Sequence, residues 1–431
     1  MKTNPRAVAV EALNRVIYNQ AFSNIEINNL LNKYELTNVD SRLMTNIVYG
    51  VLQHKLTLEY QLEPYIKGRV VDRWINTLLL TAIYQMEYLD KVPDHAVLNE
   101  SVNVAKQFGR TGVGKFVTGV LRSYQRTGSR ELPSDNSPES LSIVYSVPVW
   151  LVNLFINQFG MDKTLSILKT INEPSDISIR VNTSRISREE LKQRLEDQNF
   201  DVHDSKLSEQ GLVVKSGNLV ITSEFQKGLF TIQDESSMMV APFLDVKEDS
   251  IVLDSCAAPG GKTTHIASYL TTGKVIALDI HKNKTKLIRE NAERLGYSDV
   301  VETKALDARK SPDEFDKESF DRILVDAPCS GLGLIRRKPE LRYFRTQEDL
   351  DNLQKIQLDI LNNVSSLLKV NGKLVFSTCT FDNEENGDVV EMFLANNPNF
   401  ELEKKVDNPM KLFPDDYFTD GFFIASFVKK Q

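Results

Sequence analysis

The hydrophobic pattern changes character twice along the chain. Over residues 1–126 apolar positions recur at helical spacing. Val10, Leu13, Val16 and Ile17 form one stripe behind Asn4-Pro5, which reads as an N-cap followed by proline at the first helical position. Leu43, Met44, Ile47, Val48, Val51 and Leu52 form a second stripe, opened by Asp40-Ser41. Residues 74–89 are apolar over most of their surface, and 96–108 and 115–124 complete an expected all-α bundle. Residues 127–140 have the composition of a linker.

Between 141 and 235 the pattern mixes. Val147-Pro-Val-Trp150 leads into amphipathic helices reaching Ile171. Ile177-Ser-Ile-Arg-Val181 then alternates as a half-buried strand. Ser187 and Glu190 read as a capping box opening a helix to Leu195, and Leu212-Val-Val214 and Leu219-Val-Ile221 read as further strands. This stretch is expected to be a small α+β bridging domain. From 236 to 431 strand patterns (251–254, 275–279, 300–304, 323–326, 374–378) alternate with helical ones such as 283–295 and 347–368. Such alternation implies an α/β domain of Rossmann-like type, a parallel sheet covered by helices on both faces.

Composition narrows the class. At 431 residues two to four domains are expected, and 41% hydrophobic with 26% charged residues is ordinary for a soluble globular chain. The first residues show no apolar stretch of signal-peptide type. Residues 74–89, interrupted by Asn76, Gln85 and Glu87, fall short of the roughly 20 apolar residues of a membrane span. Three cysteines without repeating spacing argue against a disulfide framework, and they make no metal site with the five histidines. A cytoplasmic protein with no membrane or metal partner is expected, and a monomer. The net charge of −7 is unevenly spread: residues 1–126 carry 15 Lys/Arg against 11 Asp/Glu. Lys106, Arg110, Lys115, Arg122 and Arg126 fall in a stretch without an acid, either a solvated helical face or a patch that tracks phosphates.

The three cysteines carry the chemistry. Each closes a short apolar run: Cys256 after Ile251-Val-Leu-Asp254, Cys329 after Ile323-Leu-Val-Asp326, and Cys379 after Leu374-Val-Phe-Ser377. Open parallel sheets place their ligand crevice at such strand ends. The loop of Cys256, Ala257, Ala258, Pro259, Gly260, Gly261 and Lys262 joins small residues to a helix start, so a ligand can come close to backbone amides. It is not a nucleotide triphosphatase loop. The first glycine of that pattern is replaced by Cys256, and Pro259 stiffens the turn. Asp279 ends the next strand 18 residues after Gly261, where an acid suits ribose hydroxyls, and Asp307 follows the third strand, within reach of an adenine amino group. Acids at consecutive strand ends beside a glycine loop point to S-adenosylmethionine.

Carbon 5 of a pyrimidine accepts a methyl group only after a thiolate adds to carbon 6, and an acid near ring nitrogen 3 eases that addition. Cys329, Cys379 and Asp326 supply the required groups, but local chemistry does not say which thiol attacks. These motifs, Asp254-x-Cys-Ala-Ala-Pro-Gly-Gly-Lys-Thr263, Asp279, Asp307, Asp326-Ala-Pro-Cys-Ser-Gly331 and Ser377-Thr-Cys-Thr380, resemble RNA 5-methylcytosine methyltransferases of the Sun/Nop type. The resemblance implies Cys379 as nucleophile and Cys329 as the thiol that assists release. DNA cytosine methyltransferases give the attacking role to the Pro-Cys thiol. The front half, with Asn4-Pro-Arg-Ala7 and Gly114-Lys-Phe-Val-Thr-Gly-Val-Leu-Arg122, looks like the RNA-binding domain of the NusB antitermination factor. Arg180-Val-Asn-Thr183 and Gln233-Asp-Glu-Ser-Ser237 resemble the bridging segment of the same family. Joined, these parts imply 16S rRNA as substrate, at the cytosine conventionally numbered 967. The alternatives are the same reaction on tRNA or another rRNA site, or a non-catalytic RNA-binding assembly or antitermination factor.

Overall fold

The computed structural model describes residues 4–109 and 111–430. Helices come first: α1 (Pro5–Asn19), α2 (Ser23–Lys33), α3 (Asn38–Gln53), α4 (Lys55–Ile66), α5 (Arg73–Tyr88), α6 (Asp94–Phe108), α7 (Thr111–Thr127), α8 (Pro138–Tyr145) and α9 (Val149–Thr170). A small sheet follows, built of β1 (Ile177–Val181), β2 (Val202–Asp204), β3 (Gly211–Val214) and β4 (Phe230–Ile232), with α10 (Arg188–Glu196) packed on it and α11 (Ser223–Gln226) beside it. Beyond α12 (Glu235–Met238) and α13 (Val240–Leu244) come β5 (Ile251–Asp254), α14 (Gly261–Ala267), β6 (Lys274–Asp279), α15 (Lys282–Leu295), β7 (Val301–Ala305) and β8 (Phe320–Asp326). The chain ends with α16 (Leu341–Phe344), α17 (Gln347–Ser365), β9 (Leu368–Thr378), α18 (Gly387–Asn396), β10 (Phe400–Leu402), β11 (Met410–Leu412), α19 (Pro414–Tyr417) and β12 (Phe422–Lys429).

Two compact units result, Met1–Asn172 with Arg337–Phe344, and Glu173–Arg336 with Arg345–Gln431. In the first, Leu13, Val16, Met44, Ile47, Val51, Leu78 and Leu79 are fully buried in one core. Asn4 caps α1 as its sequence implies, its Oδ1 accepting from the Arg6 N–H at 2.9 Å. Helix α3 starts two residues before Asp40, because Thr37 is the residue that caps it. Gln85, polar within an apolar helix, is fully buried yet satisfied: it accepts from Arg6 Nε at 2.7 Å and donates to the Thr81 carbonyl at 2.8 Å. Helices α8 and α9 belong to this unit, as does the distant segment Arg337–Phe344. There the buried Glu340 accepts from the Ser23 N–H and hydroxyl, both at 2.9 Å, and Arg342 donates to Asn172 Oδ1 at 2.9 Å. No single helix among the described residues is long and apolar enough to cross a membrane.

In the second unit the small antiparallel sheet runs β2-β3-β1-β4. Leu219–Ile221, expected as a strand, is a 3-10 turn. Thr222 caps α11 directly after it, and β4 takes the edge position instead. The expected box at Ser187 is half formed. Ser187 Oγ accepts from the Glu190 N–H, but the Glu190 carboxylate turns to Arg194 at 2.6 Å. The large sheet runs β10-β12-β9-β8-β5-β6-β7, with β7 through β9 parallel. It is mixed rather than parallel throughout, since β12 lies antiparallel to β9 and both β10 and β11 pair antiparallel with β12. After α18 the connections shorten, and short connections join antiparallel strands. Buried side chains fill both faces of this sheet, one side under α17 and α18 and the other under α13, α14 and α15.

Candidate active site

Strand order reverses at β5. The chain proceeds from β5 outward through β6 and β7, then returns to lay β8 and β9 on the other side of β5. Connections that diverge from one strand leave a crevice beyond its carboxyl end. A cavity of about 400 Å³ opens there. Its lining brings together Cys256 and Ala258 from the glycine loop, Asp279 at the end of β6, Asp307 after β7, Asp326 at the end of β8, and Cys329 and Cys379 beyond β8 and β9. Ile280, Ile356 and Ile360 add an apolar wall that the motifs did not single out. Its one sequence signal is the i, i+4 spacing of Ile356 and Ile360 on one face of α17.

Within the loop, the Ala257 N–H donates to Leu278 O at 2.8 Å, and the Gly260 N–H returns to Ala257 O at 2.7 Å. Gly260 sits at φ +102°, and a Cβ there would stand 3.1 Å from Ile288 Cα, so glycine serves the turn and the approach of α15. Gly261 opens α14, and a Cβ on it would meet nothing within 4 Å. Pro259 offers its carbonyl to Asn291 Nδ2 at 2.9 Å. Thus Cys256 and Ala258 face the cavity while Ala257, Pro259, Gly260 and Gly261 shape the loop behind them. Burial pushes the Cys256 thiol up to about 12, so it stays protonated at neutral pH. Asp254 is fully buried outside the cavity lining and accepts from Thr263 Oγ1 at 2.6 Å. Burial raises its carboxyl to about 7.

The two acids on the β6–β7 side are turn residues as well as lining residues. Asp279 Oδ1 accepts from the His281 N–H at 2.8 Å. Asp307 accepts from the Arg309 N–H at 3.0 Å and from Arg309 Nη2 at 2.7 Å, and these hydrogen bonds lower its carboxyl below the ordinary range. Asp307, expected to meet an adenine amino group, is therefore engaged by Arg309.

On the β8–β9 side Lys262 leaves α14 and reaches Asp326 Oδ2 at 2.8 Å, while Ser377 Oγ donates to Asp326 Oδ1 at 2.8 Å. Burial works to lower the Lys262 ammonium, but the Asp326 charge and hydrogen bond outweigh it, and the net shift is upward. Beyond this pair the sulfurs of Cys329 and Cys379 stand 3.0 Å apart, neither in a disulfide. The Cys329 thiol is raised well above its ordinary value, first by its hydrogen bond to Cys379 and then by burial. A side chain at Gly333 would collide with Gly421 O at 1.8 Å, and its bare N–H donates to the Cys379 carbonyl at 3.0 Å. The buried run Asp382, Glu385 and Asn386 behind the thiols was not signalled by any motif. Among the described residues no group of three His, Cys, Asp or Glu could hold a metal ion.

In the helical unit Lys106, Lys115, Arg122 and Arg126 are exposed on α6 and α7, while Arg110 lies outside the described residues.

A family model described as 16S rRNA methyltransferase RsmB/F matches residues 241–428. Models for the NusB family and for an RsmF/B-like ferredoxin-like domain match residues 3–126 and 147–220. The chain is 42% identical to a probable ribosomal RNA small subunit methyltransferase B of Bacillus subtilis, over 100% of this chain and 99% of that one. The solved structure of NSun6 from Pyrococcus horikoshii with SFG is 27% identical, with a TM-score of 0.61 over 66% of this chain and 98% of that one. A methyltransferase homolog protein from Pyrococcus horikoshii is 29% identical, with a TM-score of 0.60 over 69% of this chain and 100% of its own.

Proposed function

Because the chain belongs to the 16S rRNA methyltransferase RsmB/F family, we propose that it transfers a methyl group from S-adenosylmethionine to carbon 5 of a cytosine in 16S rRNA. In conventional numbering the target is cytosine 967. The observation that carries this reading is the pair of thiols 3.0 Å apart at one end of a cavity whose other end presents Asp279. A volume of about 400 Å³ and an apolar wall with a few convergent acids suit a nucleoside-sized ligand. The NSun6 relative was solved with SFG, an analogue of this cofactor. When bound, the cofactor supplies an electrophilic methyl group. Asp279 would take the ribose hydroxyls, Ile280 and Ile360 would flank the adenine, and Cys256 and Ala258 would floor the site.

In this reading the thiolate of Cys379 forms a bond to carbon 6 while ring nitrogen 3 gains the proton held between Lys262 and Asp326. Electron density moves to carbon 5, which takes the methyl group. Loss of the carbon-5 proton then restores the carbon 5–carbon 6 double bond and expels the sulfur of Cys379 as thiolate, and the nitrogen-3 proton returns to the Lys262–Asp326 pair. At 3.0 Å one sulfur can hold the other's proton, and we give the attack to Cys379 and the assistance of departure to Cys329. We place RNA contacts in helical residues 1–126, bridging in 141–235 and catalysis in 236–431 of a cytoplasmic monomer.

Bisulfite sequencing of 16S rRNA tests the reaction. A strain lacking the gene should lose one conversion-resistant cytosine, and purified protein with the cofactor should restore it. If every cytosine protected in the parent stays protected in the deletion strain, the 16S assignment fails. The exposed helical patch has its own test. Replacing Lys106, Lys115 and Arg122 by Ala together should flatten the salt dependence of rRNA binding by up to about one unit of slope for each phosphate no longer neutralised. An unaltered slope would make this face solvated surface.

A further inference from the structure

Two consecutive residues grip the chain on either side of both thiols. Glu385 Oε2 accepts from the N–H of Ser330, the residue after Cys329, at 2.8 Å. It also accepts from Gln357 Nε2 at 2.9 Å, and that same nitrogen donates at 3.0 Å to the carbonyl of Pro328, the residue before Cys329. Asn386 does the same for Cys379. Its Oδ1 accepts from the hydroxyl of Thr378, and its Nδ2 donates to the carbonyls of Thr380 at 3.1 Å and Asp382 at 2.7 Å. The flanks are also joined to each other, since Ser330 Oγ donates to Thr380 Oγ1 at 3.2 Å. Thr378, Ser330, Thr380, Glu385, Asn386 and Gln357 are all fully buried, so none of these bonds competes with water.

We propose that Glu385 and Asn386 are positioning residues that set the contact between the two thiols, each holding the residues that flank one of them. The inference rests on the thiol chemistry proposed above, for which the distance between the sulfurs decides whether one can hold the other's proton. Glu385 acts as a neutral acceptor. Burial and then the charge of Asp382 raise its carboxyl to about 9, and its second oxygen receives no donor. Its length matters and its charge does not. That separates it from a residue that only adds stability.

The test uses the full-length protein without RNA or cofactor. Diamide takes two hydrogens from the thiols and leaves a disulfide between Cys329 and Cys379, located by peptide mapping. Its rate reads the pair's geometry without reference to any methylation target. Glu385→Gln keeps the length and the accepting oxygen, so it should oxidise within about threefold of the parent. Glu385→Asp is one methylene short and should be at least about tenfold slower, as should Asn386→Asp, which loses both donors. Methyl transfer should follow the same order in kcat, with KM for the cofactor unchanged because the Asp279 end of the cavity is untouched. Equal oxidation rates for Glu385→Asp and the parent would overturn the proposal. So would a Glu385→Gln protein as slow as Glu385→Asp, since charge and not grip would then be at work. If the oxidation order holds but the parent methylates no cytosine of 16S rRNA, the clamp stands and the assigned reaction falls.

Discussion

The two sides of the sheet that flank β5 hold their polar groups by different means. On the β6–β7 side the acids are held locally. Asp279 accepts from an N–H two residues on, and so does Asp307. On the β8–β9 side the reactive groups are held from afar: Asp326 by Lys262 and Ser377, 64 and 51 positions away, and Cys329 by a thiol 50 positions away. A locally held acid can be removed without disturbing its neighbours, so its removal should show as weaker ligand binding. A group within a buried, long-range network cannot be altered without shifting the others. Affinity and chemistry should therefore fail separately.

The largest effect is expected at the thiols. Cys379→Ala should abolish methyl transfer, since carbon 5 is then never activated. Cys329→Ala should allow addition and methylation but stall release, leaving enzyme joined to RNA as a slow band in denaturing electrophoresis. The double variant should lose that band. A band with Cys379→Ala and none with Cys329→Ala would exchange the two roles, and full turnover in both would end the covalent mechanism. On the other side of β5, Asp279→Ala should weaken cofactor binding through two charge-assisted hydrogen bonds of roughly 1.5–3 kcal/mol each. Calorimetric titration reads that loss, and the thermal midpoint should hardly move. A folded variant with unchanged affinity would remove Asp279 from the site.

How much of this was legible follows the same division. Local signals could be read: Asn4-Pro5 as a helix start, and the apolar runs that became β5, β6, β8 and β9 with their terminal acids and thiols. What depended on distant pairing could not. Glu385 and Asn386 stand in an ordinary polar run, and their meaning comes only from β8 lying beside β9. The segment Arg337–Phe344 carries charged residues that look solvated, yet Glu340 and Arg342 are buried in the helical unit. Leu219–Ile221 has strand composition, and the cap at Thr222 overrode it. Asp254, read with the other strand-end acids, is separated from them only by burial.

That burial makes stability respond to pH with opposite signs in the two regions. Asp254 is raised from its ordinary 3.8 to about 7, and Glu385 from 4.5 to about 9. For a raised carboxyl the folded state favours the neutral form. Its contribution is complete below the unfolded value and is lost as pH rises through the folded one. The β5 and β8–β9 region should thus lose stability as pH climbs from about 4 to 9, with Asp254 contributing on the order of 4 kcal/mol. Asp307, being lowered, works the other way, losing its contribution as pH falls. Asp254→Asn should gain thermal midpoint relative to the parent at pH 8.5 and gain less, or lose, at pH 5. Equal differences at both values would show that Asp254 is ionised throughout.

The smallest effect tests whether Asp307 is more than a cap. Its side-chain oxygens are engaged by the exposed Arg309, which lies at the rim of the same cavity. A pair with its guanidinium in solvent is worth on the order of 1 kcal/mol, so a ligand amino group could displace Arg309 at little cost. Arg309→Ala leaves the N–H that Asp307 caps but frees the outer oxygen from its competitor. If Asp307 receives the adenine amino group, cofactor binding should tighten about two- to fivefold, the factor that relief of up to about 1 kcal/mol allows. Asp307→Ala should weaken it in turn. Were Asp307 only the cap of its turn, Arg309→Ala would leave the dissociation constant where it was, and Asp279 alone would mark the cofactor side of β5. Tightening with Arg309→Ala that persists in the Asp307→Ala background would point instead to Arg309 obstructing the cavity by itself.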